Sequence, residues 1–256
     1  MRITSWNVNS VRARENRILN WLDQQQSDVL CLQELKCLEE QFPFGGFEQL
    51  GYEVSLLGQK GYNGVAIAST GCQDEVQERV PWAEDEEARG ISAVVDGVRV
   101  VTVYVPNGRE AGSDHWNYKL EWLERLHGWL ETNASPDEPL VICGDFNVAP
   151  DDRDVWDPPA WEGHNLCTTQ ERERLQALLD WGLQDAQRVL TDAPAQYTWW
   201  DFLTDGFVHN HGLRIDLHLV TAPIVERLEA VEIDTAERGG EKPSDHAPVT
   251  LVLRDE

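Results

Sequence analysis

Short runs of apolar residues recur along the chain, separated by amphipathic helical patterns or by polar loops. The runs are rich in valine, isoleucine and leucine, and they span residues 3–6, 29–32, 54–57, 65–68, 92–95, 98–105, 140–143, 215–221 and 249–253. Runs of this length are typical of buried strands. Because they alternate with helical segments, the chain is predicted to have an α/β or mixed architecture and not an all-helical one.

Three segments have the spacing of an amphipathic helix, namely residues 15–26, 113–130 and 172–182. Ser113 can cap the N-terminus of the second helix, and Gly182 can end the third. The second helix places tryptophan and leucine side chains on one stripe, at positions 116, 120, 123, 126 and 130. The polar stretches 74–90 and 149–163 are predicted to be loops.

The composition fits one large folded domain. The chain has 256 residues, of which 41% are hydrophobic and eleven are tryptophan, so it can bury a sizeable core, and we predict a single domain over residues 1–256. No segment has the roughly 18 apolar residues of a membrane span, and the N-terminus lacks the apolar stretch of a signal peptide. The five cysteines form an odd set without a Cys-x-x-Cys pair, which predicts a reduced, cytoplasmic protein. We expect a monomer.

The balance of charge is unusual. The chain carries 46 acidic and 21 basic residues, which gives a net charge of −25, although the charged fraction of 26% is ordinary. A field this negative repels DNA and anionic membranes at low salt. Acidic residues are spread over the whole length, and only four lysines accompany 17 arginines. We therefore hypothesise a halophilic surface that works at high ionic strength, where repulsion is screened; the alternative is an acidic face with a local role.

Polar side chains directly follow or precede several of the predicted strands. They are Asn7 and Asn9 after the first run, Glu34 after the second, Asp145 and Asn147 after the run that ends at 143, Asp216 after Ile215, and Asp245 with His246 before the last run. Strand ends on one side of an α/β sheet converge on a crevice, so these groups are predicted to face one another. Taken singly, each is more typical of a turn or a cap, and only the set indicates a site.

A convergent set of carboxylates needs a cation. The set combines carboxylates and amides, with no cluster of cysteines or histidines, which favours an oxygen-binding ion such as Mg²⁺, or Mn²⁺ in its place, over zinc. Mg²⁺ held by a few carboxylates usually keeps waters and binds a substrate phosphate, so phosphoryl chemistry is indicated. His246 adds a general acid or base, or a cation that faces the phosphate.

Several segments together resemble one known family. They are Trp-Asn-Val-Asn at residues 6–9, Leu-Gln-Glu at 32–34, Tyr-Val-Pro-Asn-Gly at 104–108, Gly-Asp-Phe-Asn at 144–147, Gly-Leu-Arg-Ile-Asp at 212–216 and Lys-Pro-Ser-Asp-His-Ala-Pro at 242–248. In this order they resemble the exodeoxyribonuclease III family of apurinic/apyrimidinic (AP) endonucleases, within the endonuclease/exonuclease/phosphatase superfamily. The resemblance covers residues 1–253, and it is the ordered set that makes it specific.

The resemblance implies both a fold and an activity. The implied fold is an α/β (α+β) four-layer sandwich, in which two packed mixed β-sheets are flanked by helices. The implied activity is Mg²⁺-dependent hydrolysis of phosphodiesters in DNA repair. The implied partner is double-stranded DNA with abasic sites or blocked 3′ ends: the enzyme would incise 5′ to the abasic site, degrade from 3′ to 5′ and clean 3′ ends. No membrane partner is implied.

The motif positions also imply roles for individual residues. Metal binding would fall to Glu34, with Asn7 beside it and Asp245 nearby. Asp145 and Asn147 would position and deprotonate the attacking water. His246 would contact the scissile phosphate, and Asp216 would orient His246. Tyr104 would contact the phosphate or the leaving oxygen. In-line attack needs such a base, a cation and donors around the phosphate. The sequence leaves open which group is the general base.

A substrate pocket is implied in the same way. Its apolar walls, which would accept a flipped, base-free deoxyribose, are Trp199, Leu213 and Ile215. The DNA-contacting residues around it are Asn9, Asn107 and Asn210. An abasic site is easier to extrude than an intact nucleotide, because no base stacking is lost. The alternative is that the wall residues are ordinary core residues.

Two places depart from the family pattern. Phe202 with Leu203, and also His211, stand where the family commonly has arginine. Missing arginines remove phosphate contacts, so we expect a change in DNA affinity or in the balance of exonuclease and endonuclease activity.

Two other interpretations stay open at this point. One is a superfamily relative that acts on another phosphodiester, such as a nonspecific DNase or a lipid or inositol phosphatase, which the acidic charge slightly favours. The other is a non-catalytic protein on the same fold, which the presence of every catalytic residue opposes.

Overall fold

The computed structural model describes residues 1–254 of the chain, and most of its strands belong to two six-stranded mixed sheets. Within these residues the strands are β1 (Arg2–Asn7), β2 (Val29–Gln33), β3 (Glu53–Leu57), β4 (Val65–Ser69), β5 (Asp74–Glu78), β6 (Gly90–Val95), β7 (Val98–Tyr104), β8 (Leu140–Asp145), β9 (Gln184–Asp185), β10 (Trp199–Trp200), β11 (Gly212–Leu213), β12 (Asp216–Val220), β13 (Leu228–Ile233) and β14 (Val249–Leu253). Every predicted apolar run is confirmed as a strand, because each is long enough and apolar enough to cross a buried sheet.

Helices and short helical turns connect the strands. The α-helices are α1 (Glu15–Gln25), α2 (Phe44–Gln49), α3 (Asp114–Asn133), α4 (Pro158–Trp161), α5 (Thr169–Trp181), α6 (Ala186–Leu190), α7 (Gly206–His209) and α8 (Ala222–Arg227), and 3₁₀ turns span Glu39–Gln41, Asp152–Asp154 and Thr235–Arg238. The three predicted helices are confirmed as α1, α3 and α5. Ser113 caps α3 as predicted, since its side chain accepts a hydrogen bond from the N–H of Trp116. Helix α5 begins earlier than predicted, because Thr168 and Glu171 form a capping box.

The two sheets pack face to face, and helices cover their outer faces. The core between them includes Ile67 of β4 and Val100 and Val141 of the other sheet, none of which reaches solvent. Helix α1 covers the first sheet with one apolar cluster, and α3 and α5 cover the second with another. Burial of each such side chain contributes about 1.5–3 kcal/mol relative to exposure. The predicted four-layer sandwich is therefore confirmed.

The order of the strands brings their polar ends to one edge. The first sheet runs β13-β14-β1-β2-β4-β3 and the second β5-β6-β7-β8-β12-β9. The parallel neighbours are β1 with β2 and β7 with β8, so the carboxyl ends of each pair meet at the same edge. Strand β12 runs antiparallel to β8, and its first residue, Asp216, lies opposite Asp145.

Both predicted loops contain regular structure. The stretch 74–90 begins with β5, whose five side chains are all exposed and which pairs only along the edge with β6. A strand with both faces in solvent has no apolar pattern, so its residues could not be recognised as a strand. The stretch 149–163 contains the 3₁₀ turn Asp152–Asp154 and α4. Among the described residues, no helix is both long enough and apolar enough to span a bilayer.

Candidate active site

The polar strand ends meet in one cleft between the carboxyl edges of the two sheets. Asn7 ends β1, Glu34 follows β2, Asp145 ends β8 and Asp216 begins β12. His246 lies in the segment before β14 and bridges to Trp199 of β10. The sequence prediction that these groups face one another is confirmed by their mutual hydrogen bonds, described below.

A glycine lets the strand that carries Asp145 approach its neighbour. Gly144 has a φ of 147°, and a Cβ at this position would lie 1.9 Å from the carbonyl oxygen of Val103 on β7. Any side chain would force the two strands apart. The Gly-Asp sequence therefore places the carboxylate next to a close approach of β7 and β8.

His246 lies between two carboxylates. Its Nδ1 is 2.8 Å from Oδ2 of Asp216, and its Nε2 is 3.6 Å from Oδ2 of Asp145. Burial alone would lower the pKa of His246, but the charges of Asp216 and Asp145 raise it to about 10. The imidazole is therefore protonated at neutral pH. Its Nδ1–H donates to Asp216, and its Nε2–H faces Asp145.

Asp145 is held in place by several donors. Its Oδ1 accepts the N–H of Asn147 at 2.9 Å, and its Oδ2 accepts Nδ2 of Asn7 at 2.9 Å. Burial raises the pKa of Asp145 to about 7; His246 opposes the rise, while Asp216 and Glu34 add to it. A carboxylate with such a pKa can take up and release a proton near neutral pH.

Glu34 and Asp245, the acidic members of the predicted metal set, are linked through amides. Oε1 of Glu34 accepts Nδ2 of Asn7 at 2.9 Å. Nδ2 of Asn9 donates to Oδ1 of Asp245 at 3.0 Å. Lys36 connects these two pairs, because its Nζ lies 2.7 Å from Oε2 of Glu34 and donates to Oδ1 of Asn9 at 2.6 Å. Lys36 was missed in the sequence, although it stands two residues after Glu34.

These residues fit a divalent cation by their chemistry. The cleft brings together carboxylate and amide oxygens, the donors that Mg²⁺ and Mn²⁺ prefer. One oxygen each from Asp145 and Asp216 also lies within 4.8 Å of a ring nitrogen of His246, but protonated His246 is a hydrogen-bond donor to these carboxylates and not a metal ligand. Burial is the main cause of the raised pKa of Asp145, and the charges of Asp216 and Glu34, which a cation would offset, add to the rise. The assignment of Glu34, Asn7 and Asp245 as the ligands stays a prediction.

Asn147, Asn107 and Tyr104 line the same cleft. Nδ2 of Asn107 donates to Oδ1 of Asn147 at 2.9 Å, and Nδ2 of Asn147 donates to the carbonyl of Val105 at 3.0 Å. Burial raises the pKa of Tyr104 well above its usual value, and the charges of Glu34 and Asp145 add to the rise. Tyr104 therefore keeps its proton and can donate a hydrogen bond to a phosphate or leaving oxygen.

The predicted pocket residues occupy different environments. Nε1 of Trp199 donates to Oδ2 of Asp245 at 3.1 Å, which joins the predicted pocket to a predicted metal ligand. Leu213, which pairs with Trp199 across β10 and β11, and Ile215 are buried in an apolar cluster. Asn210 is exposed at the end of α7, where its Oδ1 accepts Nε1 of Trp200 at 3.2 Å. Within the described residues, no hydrogen bond joins Asn210 to the carboxylates of the cleft.

Two buried ionic clusters behind the site were not predicted. Lys119 of α3 pairs with Glu171 of α5, both fully buried, and Nζ of Lys119 also donates to the carbonyl of Asn147 at 2.6 Å. Arg214, next to the pocket walls, binds Asp154 at 2.6 Å and Asp185 at 2.7 Å. On a helical pattern, charges such as those of Lys119 and Glu171 are typical of a solvated face, so only the packing of distant segments reveals this pair.

The positions that depart from the family pattern lie at the surface nearby. The ring of His211 stacks on Trp156, with centroids 3.8 Å apart and planes 11° apart. Leu203 is 94% exposed and Phe202 is 45% exposed. These positions therefore present aromatic and apolar surface where the family resemblance leads us to expect arginine.

Comparisons with known proteins agree with this geometry. A model described as the Endonuclease/Exonuclease/phosphatase family matches residues 4–246. Exodeoxyribonuclease III of Haemophilus influenzae is 34% identical, over 97% of this chain and 98% of that protein. A solved structure of a 3′ phosphatase from Neisseria bound to a product DNA hairpin has a TM-score of 0.95 and 39% identity, over 99% of each chain. An AP endonuclease from Archaeoglobus fulgidus has a TM-score of 0.96 and 35% identity, also over 99% of each chain.

Proposed function

The chain belongs to the endonuclease/exonuclease/phosphatase family and is a DNA-repair nuclease of the AP endonuclease type, and from this premise we propose which bonds it cleaves and how. It hydrolyses phosphodiesters in double-stranded DNA 5′ to abasic sites, degrades 3′ ends in the 3′-to-5′ direction and removes groups that block 3′ ends. The solved 3′ phosphatase bound to a DNA product supports the last activity by similarity.

One observation carries the proposed mechanism: Asp145 lies beside His246 and is held by Asn7 and Asn147. Asp145, with a pKa of about 7, accepts a proton from the attacking water. Protonated His246, oriented by Asp216, donates to a phosphate oxygen, and Tyr104 donates to the phosphate or the leaving oxygen. Donors fixed in this way before reaction stabilise the charge that develops on the phosphate.

Glu34, Asn7 and Asp245 are the residues that hold Mg²⁺ in this proposal, and Mn²⁺ is expected to substitute. When bound, the ion offsets negative charge on the phosphate oxygens. Nδ2 of Asn7 donates to both Glu34 and Asp145, so it fixes the ligand and the base relative to each other. Lys36 forms an ion pair with Glu34, with Nζ 2.7 Å from Oε2.

Substrate binding uses the surface around the cleft. Asn9, Asn107 and Asn210 contact the DNA, and Trp199, Leu213 and Ile215 form the pocket for the sugar of an abasic site. We also propose that residues 1–256 act as one domain and as a monomer in the cytoplasm, where the five free cysteines stay reduced. With a net charge of −25, the protein is proposed to work at high salt, where repulsion from DNA is screened.

A duplex with one tetrahydrofuran residue, a stable abasic analogue, tests the proposal. The expected result is a single nick 5′ to this residue that requires Mg²⁺ or Mn²⁺. Asp145→Asn should lower kcat by roughly 10²–10⁴-fold, whereas Asp180→Asn, a change at an exposed position on α5, should leave it unchanged. Absence of a metal-dependent nick at this position, with intact protein, would refute the abasic-site activity.

A further inference from the structure

The pocket proposed to accept the sugar is closed in this structure. Leu213 is fully buried and Ile215 is 2% exposed, so solvent does not reach these two walls. Leu166, itself 5% exposed, belongs to the same apolar cluster, against which Trp199 packs. Leu213 and Ile215 are therefore covered by other side chains of this cluster.

Leu166 has an unusual backbone conformation. Its φ is 77°, in the left-handed region that favours glycine and is strained for a leucine. Such residues persist only where the surrounding structure enforces them, and they concentrate at functional sites. A bulky side chain at this position therefore indicates that the side chain itself has a role.

Hydrogen bonds enforce this conformation from both sides. The N–H of Ala149 donates to the carbonyl of Leu166 at 2.8 Å, and the N–H of Leu166 donates to Oε1 of Glu171 at 3.2 Å. Glu171 pairs with Lys119, which also binds the carbonyl of Asn147 at 2.6 Å. Leu166 is thus fixed to the segment that carries Asn147 and Ala149, and it cannot withdraw from the cluster without breaking buried polar contacts.

Leu166 also borders the space into which substrate must fit. A cavity of about 490 Å³ lies between Asn107 and Trp199, and Leu166 forms part of its wall. Asn107 is bonded to Asn147 and Trp199 to Asp245, so the cavity adjoins the catalytic groups. A 3′-phosphate presents only the phosphoryl group here, whereas an internal abasic sugar, joined to the strand on both sides, must enter between Trp199 and the buried walls.

We propose that Leu166 is a specificity-determining residue that closes the sugar pocket, so that the chain removes a 3′-phosphate more efficiently than it incises at an internal abasic site. The proposal rests on the proposed phosphodiesterase function of the same site. In both reactions water forms a new bond to phosphorus, the bond from phosphorus to the 3′ oxygen breaks, and the 3′ oxygen takes up a proton. Only the size of the group that the pocket must accept differs.

The test compares kcat/KM on two duplexes of the same sequence, one with a 3′-phosphate at a nick and one with an internal tetrahydrofuran residue. Wild-type protein should favour the 3′-phosphate. Leu166→Gly, which removes the side chain and suits the left-handed φ, should raise incision relative to phosphate release by about tenfold or more. Leu166→Ala should change the ratio in the same direction and is a second variant that opens the pocket.

Leu175→Ala is the matched control. Leu175 is also a buried leucine, 3% exposed, but it packs in the cluster under α3 and α5, away from the pocket. It should lower the thermal midpoint without changing the ratio of the two activities. An unchanged ratio in a folded Leu166 variant would overturn the proposal. If neither Leu166 variant folds, the wild-type protein alone tests the proposal. A kcat/KM for incision at tetrahydrofuran that equals or exceeds the kcat/KM for 3′-phosphate release would also overturn the proposal. Failure of wild-type protein on both duplexes would instead refute the proposed function, and this proposal with it.

Discussion

Replacement of Lys119 by methionine tests how the buried pair behind the site supports the fold. Lys119 and Glu171 are both fully buried, and the ammonium also contacts the carbonyls of Asn107 at 3.3 Å and Asn147 at 2.6 Å. Burial lowers the pKa of Lys119, while the Glu171 carboxylate opposes this shift. Lys119→Met keeps the aliphatic stem and removes only the charge and its donors.

The expected loss of stability follows from what remains buried. Removal of one partner of a buried ion pair costs about 3–5 kcal/mol, because the other charge is left uncompensated. Glu171 keeps donors of its own, the N–H groups of Leu166 and Thr168 and the hydroxyl of Thr168. We therefore expect the lower end of this range. For a chain of this size, 1 kcal/mol shifts the thermal midpoint by about 2–4 °C, so Tm should fall by roughly 6–12 °C.

Urea unfolding at fixed salt measures the free energy of Lys119→Met, Glu171→Leu and the double variant. The double variant should be more stable than the sum of the two single losses predicts, because no unpaired charge stays in the core. Additive losses, or a loss below about 1 kcal/mol for Lys119→Met, would contradict the argument. Arg125→Met is the control, since Arg125 forms an exposed pair with Glu121 and should change stability by less than about 1 kcal/mol.

Three further outcomes are expected. Asp216→Asn should lower kcat on the tetrahydrofuran duplex by roughly 10²–10⁴-fold with little change in Tm, because it removes the charge that orients His246 and keeps it protonated; a loss below about tenfold would contradict this role. Mg²⁺ should raise the Tm of the wild-type protein, since a ligand that binds only the folded state stabilises it, and Glu34→Gln should reduce this rise in a melting titration. The urea midpoint should increase between about 0.05 and 1 M salt as repulsion among the acidic residues is screened, and equal stability at both concentrations would refute the halophilic hypothesis.

The parts of the fold that the sequence predicts are those whose pattern reflects burial. The strands through the core read as apolar runs, and the polar residues at their ends, such as Glu34 and Asp145, could be recognised as a convergent set. Edge strand β5 was missed because its side chains are all exposed. Lys119 and Glu171 were missed for the opposite reason: charged residues on amphipathic helices are normally solvated, and only the approach of α3 to α5 buries them. The left-handed backbone of Leu166 depends on the loops around it and has no signature in residue type.

The distribution of basic residues sharpens the argument about charge and DNA. Lys119, Arg214, Arg238 and Arg89 are each at most 8% exposed, so they serve the fold and are not free to bind phosphates. Others at the surface, such as Arg153 and Arg125, are already paired with carboxylates. These six cations are therefore less available to the DNA backbone, and the salt dependence of binding grows with the number of phosphates that the protein neutralises. A plot of the logarithm of the DNA binding constant against the logarithm of salt concentration should therefore be shallow. A steep negative slope, typical of many phosphate contacts, would show that the exposed arginines do bind DNA.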